Sequence, residues 1–541
     1  MTPPIRPARA AILVAAAVPP VVLALDSGGF GPVLRQEIGA AAAALLAAGI
    51  AAGFLPRGAP VRWVLVAAAG AAALLAWTGL SLAWTESSER TVAELARLAG
   101  YLSFAAIALL GLTRATFRAA AAGLGIAALG IAALAVASRL FPGALPGATD
   151  VADQFHADRL TYPLDYWNAV GAWCAMSLAI ALAWSSHARS QAVRAATLAV
   201  APVAGLGVYL TYSRAGVISS AVAVLAVLAL SRHRWTALAH AGAVGAATGI
   251  VILAVRDNPA IADATGGAGG GAVLAALIVA AMLCAAMVFA TGAARVDRFH
   301  LSRRGLRAAA TATAVAAGVA LVVAWGPLSD VWSEFRSEEQ VGAGSDPAAR
   351  LTEGGGNRDD LWGSALAAFS AHPLEGTGPG TFEFWWSRDA RDPEYVRDAH
   401  SLYLETMAEL GLPGLLALLA LLAGLLGAAI QARTRLTGPD EAGISAAMIA
   451  AFAVFLVSAA VDWQWEVGAL ALLALLAAAT AAAAGTAARA SAGLAGRRAW
   501  VRPAAATVAL AAAAVQVPGI VSNERLEASQ AAARDGDLAR A

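Results

Sequence analysis

Lysine is absent from this 541-residue sequence, charged residues make up only 13% of it, and cysteine occurs twice. The scarcity of charge excludes an ordinary soluble domain, in which about a quarter of residues are charged. The arginines that supply all the basic charge lie singly or in pairs, and the formal net charge is +1. No basic stripe is available for a nucleic-acid backbone, so nucleic acid is not an expected partner. Cys174 and Cys284 both fall inside apolar runs. They read as packing residues, and neither a disulfide nor a thiolate metal site follows from them.

What the chain has in abundance is hydrophobic sequence, 59% of residues with a mean hydropathy of +0.68. A helix needs about 20 apolar residues to cross a bilayer. Segments of that kind recur from 9–26 to 503–521, among them 97–113, 168–186, 195–212, 215–231, 308–326, 403–430, 443–462 and 466–487. The expected fold is therefore all-α, a polytopic membrane bundle of about 14–15 spans. It divides into an N-terminal bundle at 1–326, one large loop with short helices at 327–402, C-terminal spans at 403–521 and a polar tail at 522–541. The first segment holds Pro19 and Pro20 but no clear cleavage site, and reads as an anchor.

Arginines in short connections mark the cytoplasmic side. With the N-terminus inside, Arg114 and Arg118, Arg189 and Arg194, Arg232 and Arg234, the stretch "RVDRFHLSRRGLR", and Arg433 and Arg435 all fall there. The opposite connections are longer and mixed in charge: "TESSERTVAELAR", residues 139–167, "RDNPAIADATGGAGGG" and the 327–402 loop. That loop is then external, where no ATP is available, so chemistry in it needs an already activated substrate. Of seven histidines, only His156, His372 and His400 face that side.

Four stretches could carry chemistry. In "YLTYSRAGVISS" Arg214 interrupts a nearly continuous apolar run, forcing two spans to meet in a tight turn. A charge at that depth has a partner or a function, or else snorkels to lipid headgroups. In "GGGNRDDLWGSALAAFSAHPLEGTGPGTFEFWW" a short helix is expected from about Asp359 to Phe369, with Trp362, Leu366 and Phe369 on one face lying along the membrane surface. Arg358, just before it, either joins the helix N-terminus in holding an anion or is a solvated charge beside an Asn357 cap, and Arg350 is a nearby substitute. Gly376, Gly378 and Gly380 form a turn that lets backbone approach a ligand or a neighbouring helix; without a preceding strand they are no dinucleotide fingerprint. His372 precedes Pro373 and reads as a structural turn residue.

In "RDAHSLYLETMAELGLPG" His400, Tyr403, Met407 and Leu410 recur at helical spacing, which places the imidazole on the face of an incoming helix. A neutral imidazole suits a general base for a hydroxyl nucleophile; the alternative is a helix-entry histidine bonded to a loop carbonyl. In "DQFHADRLTYPLDYWNAVGAW" Asp153, His156 and Asp158 are loop residues without a fixed scaffold, so no metal site is assigned. Arg159 there could contact phosphate, and Gly171 permits close helix packing.

The ordered set "RLTYPLDYWNAVG", "TYSRAG", "NRDDLWGSALAAFSAHPLEGTGPGTF" and "AHSLYLETMAELGLPGLL", spread over about 150–430, resembles the O-antigen ligase and Wzy-type polymerase family of envelope glycan enzymes. The resemblance implies a GT-C-like membrane protein of the plasma or inner membrane. It implies transfer of a glycan from an undecaprenyl-pyrophosphate carrier to an acceptor hydroxyl at the external face, without metal, nucleotide or other cofactor and with inversion at the sugar. Its functional residues fall by motif on Arg214, Arg358 and His400, the histidine for the acceptor hydroxyl and the arginines for the pyrophosphate. Arg159, Tyr403, Arg350, Gly376 and Gly378 are further candidates for substrate contact. The family's commoner asparagine after the histidine is Ser401 here, and the acceptor, whether glycan, lipid or protein, stays open between ligase and polymerase. The rival class is a transporter or flippase of the same lipid-linked glycan, which would be expected to bury ionisable groups at midplane and to show internal repeats.

Overall fold

A computed structural model describes residues 5–57, 61–145, 158–296, 358–389, 395–486 and 501–535. Every regular element among them is helical: α1 Ile5–Leu25, α2 Pro32–Ala51, α3 Arg62–Leu80, α4 Ser88–Gly111, α5 Phe117–Leu140, α6 Trp167–His187, α7 Gln191–Leu210, α8 Arg214–Leu230, α9 Arg234–Arg256, α10 Pro259–Ala262 and α11 Gly270–Ala293. There follow α12 Arg358–Ala371, α13 Phe382–Asp389, α14 Leu402–Thr434, α15 Pro439–Val461, α16 Gly468–Ala483, α17 Val501–Ala514 and α18 Val517–Arg534. Twelve of the described helices are long and apolar enough to cross a membrane, with α17 and α18 taken together as one, and α8 and α16 are shorter apolar helices. The chain is a polytopic membrane helix bundle. The span expected at 308–326 lies outside the described residues, as do Arg350, His156 and Asp153.

Helix α6 is the centre of the bundle, buried along nearly its whole length and packed on α5, α7, α8 and α15. Its polar side chains are satisfied internally, as lipid requires: Trp173 Nε1 and Ser177 Oγ both donate to the Ala128 carbonyl at 2.9 Å. Gly171 of α6 and Gly216 of α8 face each other so closely that a Cβ on either would sit 3.3 Å from the other's Cα. The start of α6 is thereby drawn against the turn before α8.

Two expectations about element ends change. The stretch "TESSERTVAELAR", expected as a connection, supplies the N-terminal turns of α4, with Ser87 as N-cap accepting from the Arg90 amide at 3.3 Å. Its charges are accommodated because they pair: Arg97 with Glu94 and with Glu466, and Arg90 with Glu383 of α13 at 2.7 Å. The span expected over 403–430 is broken within α14, where Gly411 takes φ 63°, ψ −166° two residues before Pro413. A break in a spanning helix is tolerated where its freed backbone groups find partners. Here the Ala408 and Glu409 carbonyls accept from the Thr377 and Gly378 amides at 3.2 and 2.8 Å, the Leu410 carbonyl accepts from Trp77 Nε1 at 2.8 Å, and the Leu412 amide donates to the Pro373 carbonyl at 2.9 Å.

The glycine turn thus docks onto a helix break, the neighbouring-helix alternative of the sequence reading. Gly376, at φ 69°, leaves no room for a side chain, since a Cβ would lie 2.2 Å from the Glu409 carbonyl. Gly376→Ala is expected to cost at least about 1–3 kcal/mol, the range for one residue forced into a rarely populated conformation. Thermal unfolding in detergent should show the lower midpoint.

At one end of the bundle the short connections carry arginine pairs. Arg114 meets Glu441 at 3.0 Å, Arg118 meets Asp440, and Arg232 donates to the Thr437 carbonyl at 2.7 Å. At the other end the loop before α6, the turn before α8, the start of α12, the loop before α14 and the α15–α16 connection converge.

Candidate active site

The convergence has a carboxylate at its centre. Asp462, the first residue after α15, is fully buried and takes four hydrogen bonds. Oδ1 accepts from the Tyr166 hydroxyl at 2.6 Å and the Trp463 amide at 2.8 Å. Oδ2 accepts from Asn168 Nδ2 and from Arg358 Nη2, the latter at 3.2 Å. His400 Nδ1 stands 3.8 Å from Oδ1, too far for a hydrogen bond but within strong electrostatic reach.

Each neighbour is placed by its own local chemistry. Asn168 lies in the first turn of α6, and its Oδ1 accepts from Ser213 Oγ at 2.5 Å. Ser213 is the N-cap of α8 and accepts from the Gly216 amide at 3.0 Å, which fixes Arg214 as the first residue of that helix. The turn takes only three residues, Thr211 to Ser213, with Tyr212 at φ 46°. Arg358 lies within α12 rather than before it. The buried face of α12 is Leu361, Ala365 and Ala368; Trp362 and Phe369 are half-buried and Leu366 is 47% exposed. The stripe facing the protein is therefore offset by one residue from the aromatic stripe of the sequence, because small residues let α12 lie close on α14.

His400 is not on its helix. It precedes the N-cap Ser401 and takes φ 54°, a left-handed conformation that costs an L-residue about 1–2 kcal/mol. The helical spacing with Tyr403 and Met407 consequently does not govern its direction; it turns back toward Asp462 and Trp463, whose ring centroid is 6.4 Å away. Tyr403 itself donates to the Leu456 carbonyl at 2.9 Å. Ser401 caps α14 by accepting from the Leu404 amide at 3.4 Å.

Burial depresses the His400 pKa below the ordinary histidine value, with the Asp462 carboxylate opposing the shift and Arg358 reinforcing it. The ring is neutral at pH 7 as a result. Burial also pushes the Arg159 guanidinium down to about 10; Tyr166 opposes this, while the neighbouring positive charges of Arg214 and Arg358 add to it. Three arginines from three separate segments therefore share one neighbourhood. Arg159 stacks over the Trp167 ring at 4.7 Å, an arrangement that holds a guanidinium plane in fixed orientation. Tyr166 is held protonated, well above the usual phenol range, by burial and by the Asp462 charge it donates to.

Residues 198–419 match the family model described as O-antigen ligase. This stretch of the chain carries the O-antigen ligase family pattern. No curated protein matches the chain. Arg214, Arg358 and His400 lie inside the O-antigen ligase match, whereas Arg159, Tyr166, Asn168 and Asp462 lie outside it and reach the same site through the fold. Sequence reasoning passed over Asp462. The available signal was an acidic residue beside two tryptophans in "VDWQWEV", at the junction of two spans where charge is expensive.

Proposed function

We propose that the protein transfers a glycan from an undecaprenyl-pyrophosphate donor to an acceptor hydroxyl at the external face of the membrane. The observation that carries this reading is a neutral, half-buried His400 that shares the buried Asp462 carboxylate with Arg358, in a neighbourhood to which Arg159 and Arg214 also belong. The arginine-rich short connections at the opposite end of the bundle support an external site. The Arg214 and Arg358 guanidiniums, with Arg159, suit a pyrophosphate because each presents planar, paired donors. His400 presents Nδ1 to Asp462, so a proton there leaves the Nε2 lone pair for the acceptor.

In the step that follows, the acceptor hydroxyl gives its proton to His400 Nε2 as its oxygen bonds to the anomeric carbon. The bond from that carbon to the phosphate oxygen breaks, and its electron pair stays on the pyrophosphate. The arginines meet the growing negative charge, and Asp462 stabilises the imidazolium. A single displacement inverts the anomeric centre. The product glycoside and the carrier pyrophosphate then leave, and His400 returns its proton to solvent.

A transporter of the same lipid would work without breaking the sugar–phosphate bond. The deciding assay is release of undecaprenyl pyrophosphate in proteoliposomes holding lipid-linked glycan and candidate acceptors. Arg214→Ala and Arg358→Ala are each expected to lower turnover about 10²–10³-fold, the scale for removing one donor to a developing charge. Arg159→Ala, stacked at the rim of the cluster, should raise the donor KM more than it lowers kcat. Full turnover by the Arg214 and Arg358 variants would sink the reaction.

A further inference from the structure

We propose that Glu405 is a positioning residue for His400, acting through the backbone of the loop that carries it. This rests on the reading of His400 as the base. The Ala399 amide donates to Glu405 Oε2 at 2.7 Å, with Ala399 fully buried and Glu405 6% exposed. A side chain from the first turn of α14 thus reaches back past the N-cap and ties down the residue immediately before His400. On the other side of His400, Ser401 is fixed as the N-cap. The peptide units flanking the imidazole are clasped from both sides, and the residue between them is the one held at φ 54°. An unfavourable conformation of that kind persists only where its surroundings over-determine it.

Two further carboxylates stand behind Glu405. Carboxylate oxygens of Asp398, Glu405 and Glu466 lie within 4.8 Å of one another. Arg97 of α4 bonds to Glu466 and Glu94, which places positive charge inside this group and anchors it across α4 and the α15–α16 connection. Glu466 is four residues beyond Asp462, so one connection holds both the partner of the imidazole and the far wall of the clasp. The charges near the His400 ring are those of Asp462 and Arg358. Glu405 therefore acts on where the ring sits and touches no reacting atom.

The test compares Glu405→Met, which keeps length and removes the acceptor, with Glu405→Gln, which keeps an acceptor oxygen. Glu405→Ala serves where the methionine variant does not fold. Two quantities are read per folded molecule: turnover in proteoliposomes, and the rate at which diethylpyrocarbonate modifies His400, followed by peptide mapping. The methionine variant is expected to lose at least ten-fold in kcat with donor KM within about three-fold, and to change the His400 modification rate at least three-fold. The glutamine variant should recover both to within about three-fold of the parent. Parental kcat and an unchanged modification rate in the methionine variant would overturn the inference, as would a glutamine variant as defective as methionine. If His400→Ala keeps full turnover, the reaction fails instead, and the modification rate alone then decides whether Glu405 places the ring.

Discussion

His400→Ala is expected to lower turnover by about 10²–10⁴-fold, the range contributed by a positioned general base, while donor binding changes only a few-fold. The split follows from the geometry. The ring stands beside Asp462 and Trp463 and contributes no charge at pH 7, because burial holds its pKa below the ordinary value. A pyrophosphate held by Arg214 and Arg358 loses no ionic partner when a neutral ring is removed. The pH dependence has a definite sign. The neutral imidazole is the working form, so kcat/KM is flat above the depressed pKa and falls as pH drops through it. The midpoint of that limb lies below about 6.5, the value for an unperturbed histidine. A limb centred above that value, or an alanine variant with parental turnover, would refute the assignment; steady-state release of undecaprenyl pyrophosphate from pH 4.5 to 8 measures both.

How far the fold and site could be read from the chain depends on the range of the interactions that set them. The membrane class and most span positions were legible because hydropathy is local and additive along a helix. Arg214 and His400 stood out because each is a costly polar group at the edge of an apolar run, Arg358 because it adjoins a helix N-terminus, and all three because their order resembles a family pattern. The start of α4 was not legible. Whether "TESSERTVAELAR" is loop or helix turns on Arg97 finding Glu466, hundreds of residues later in the chain. The glycine turn was similarly ambiguous: its role follows from the break at Gly411, whose free carbonyls need the Thr377 and Gly378 amides. The direction of His400 was misread for a different reason. Helical spacing applies only inside the helix, and the chain turns left-handed at His400, one residue before the cap.

Asp462→Asn is expected to be nearly as damaging as Asp462→Ala, although it is the closest neutral substitute. Both oxygens of Asp462 are acceptors with two donors each: the Tyr166 hydroxyl and Trp463 amide on Oδ1, and Asn168 Nδ2 and Arg358 Nη2 on Oδ2. An asparagine has one acceptor oxygen, so its NH₂ must face two donors whichever way the amide is turned. That leaves donors unsatisfied at a fully buried position, at about 1–3 kcal/mol for each. The loss should appear as a lower unfolding midpoint in detergent. Turnover is expected to fall further than folding does, by at least about 10²-fold per folded molecule, for two reasons. Arg358 loses the carboxylate that aims its guanidinium, and His400 loses the negative charge that favours its protonated form. The second effect also moves the acidic limb, since the Asp462 charge is what opposes the depression of the His400 pKa. Without it the limb shifts to still lower pH, so the variant should gain relative activity only at the acidic end while its maximum falls. A parental midpoint together with parental turnover in Asp462→Asn would show that the buried carboxylate is not the hub that joins Arg358 to the base.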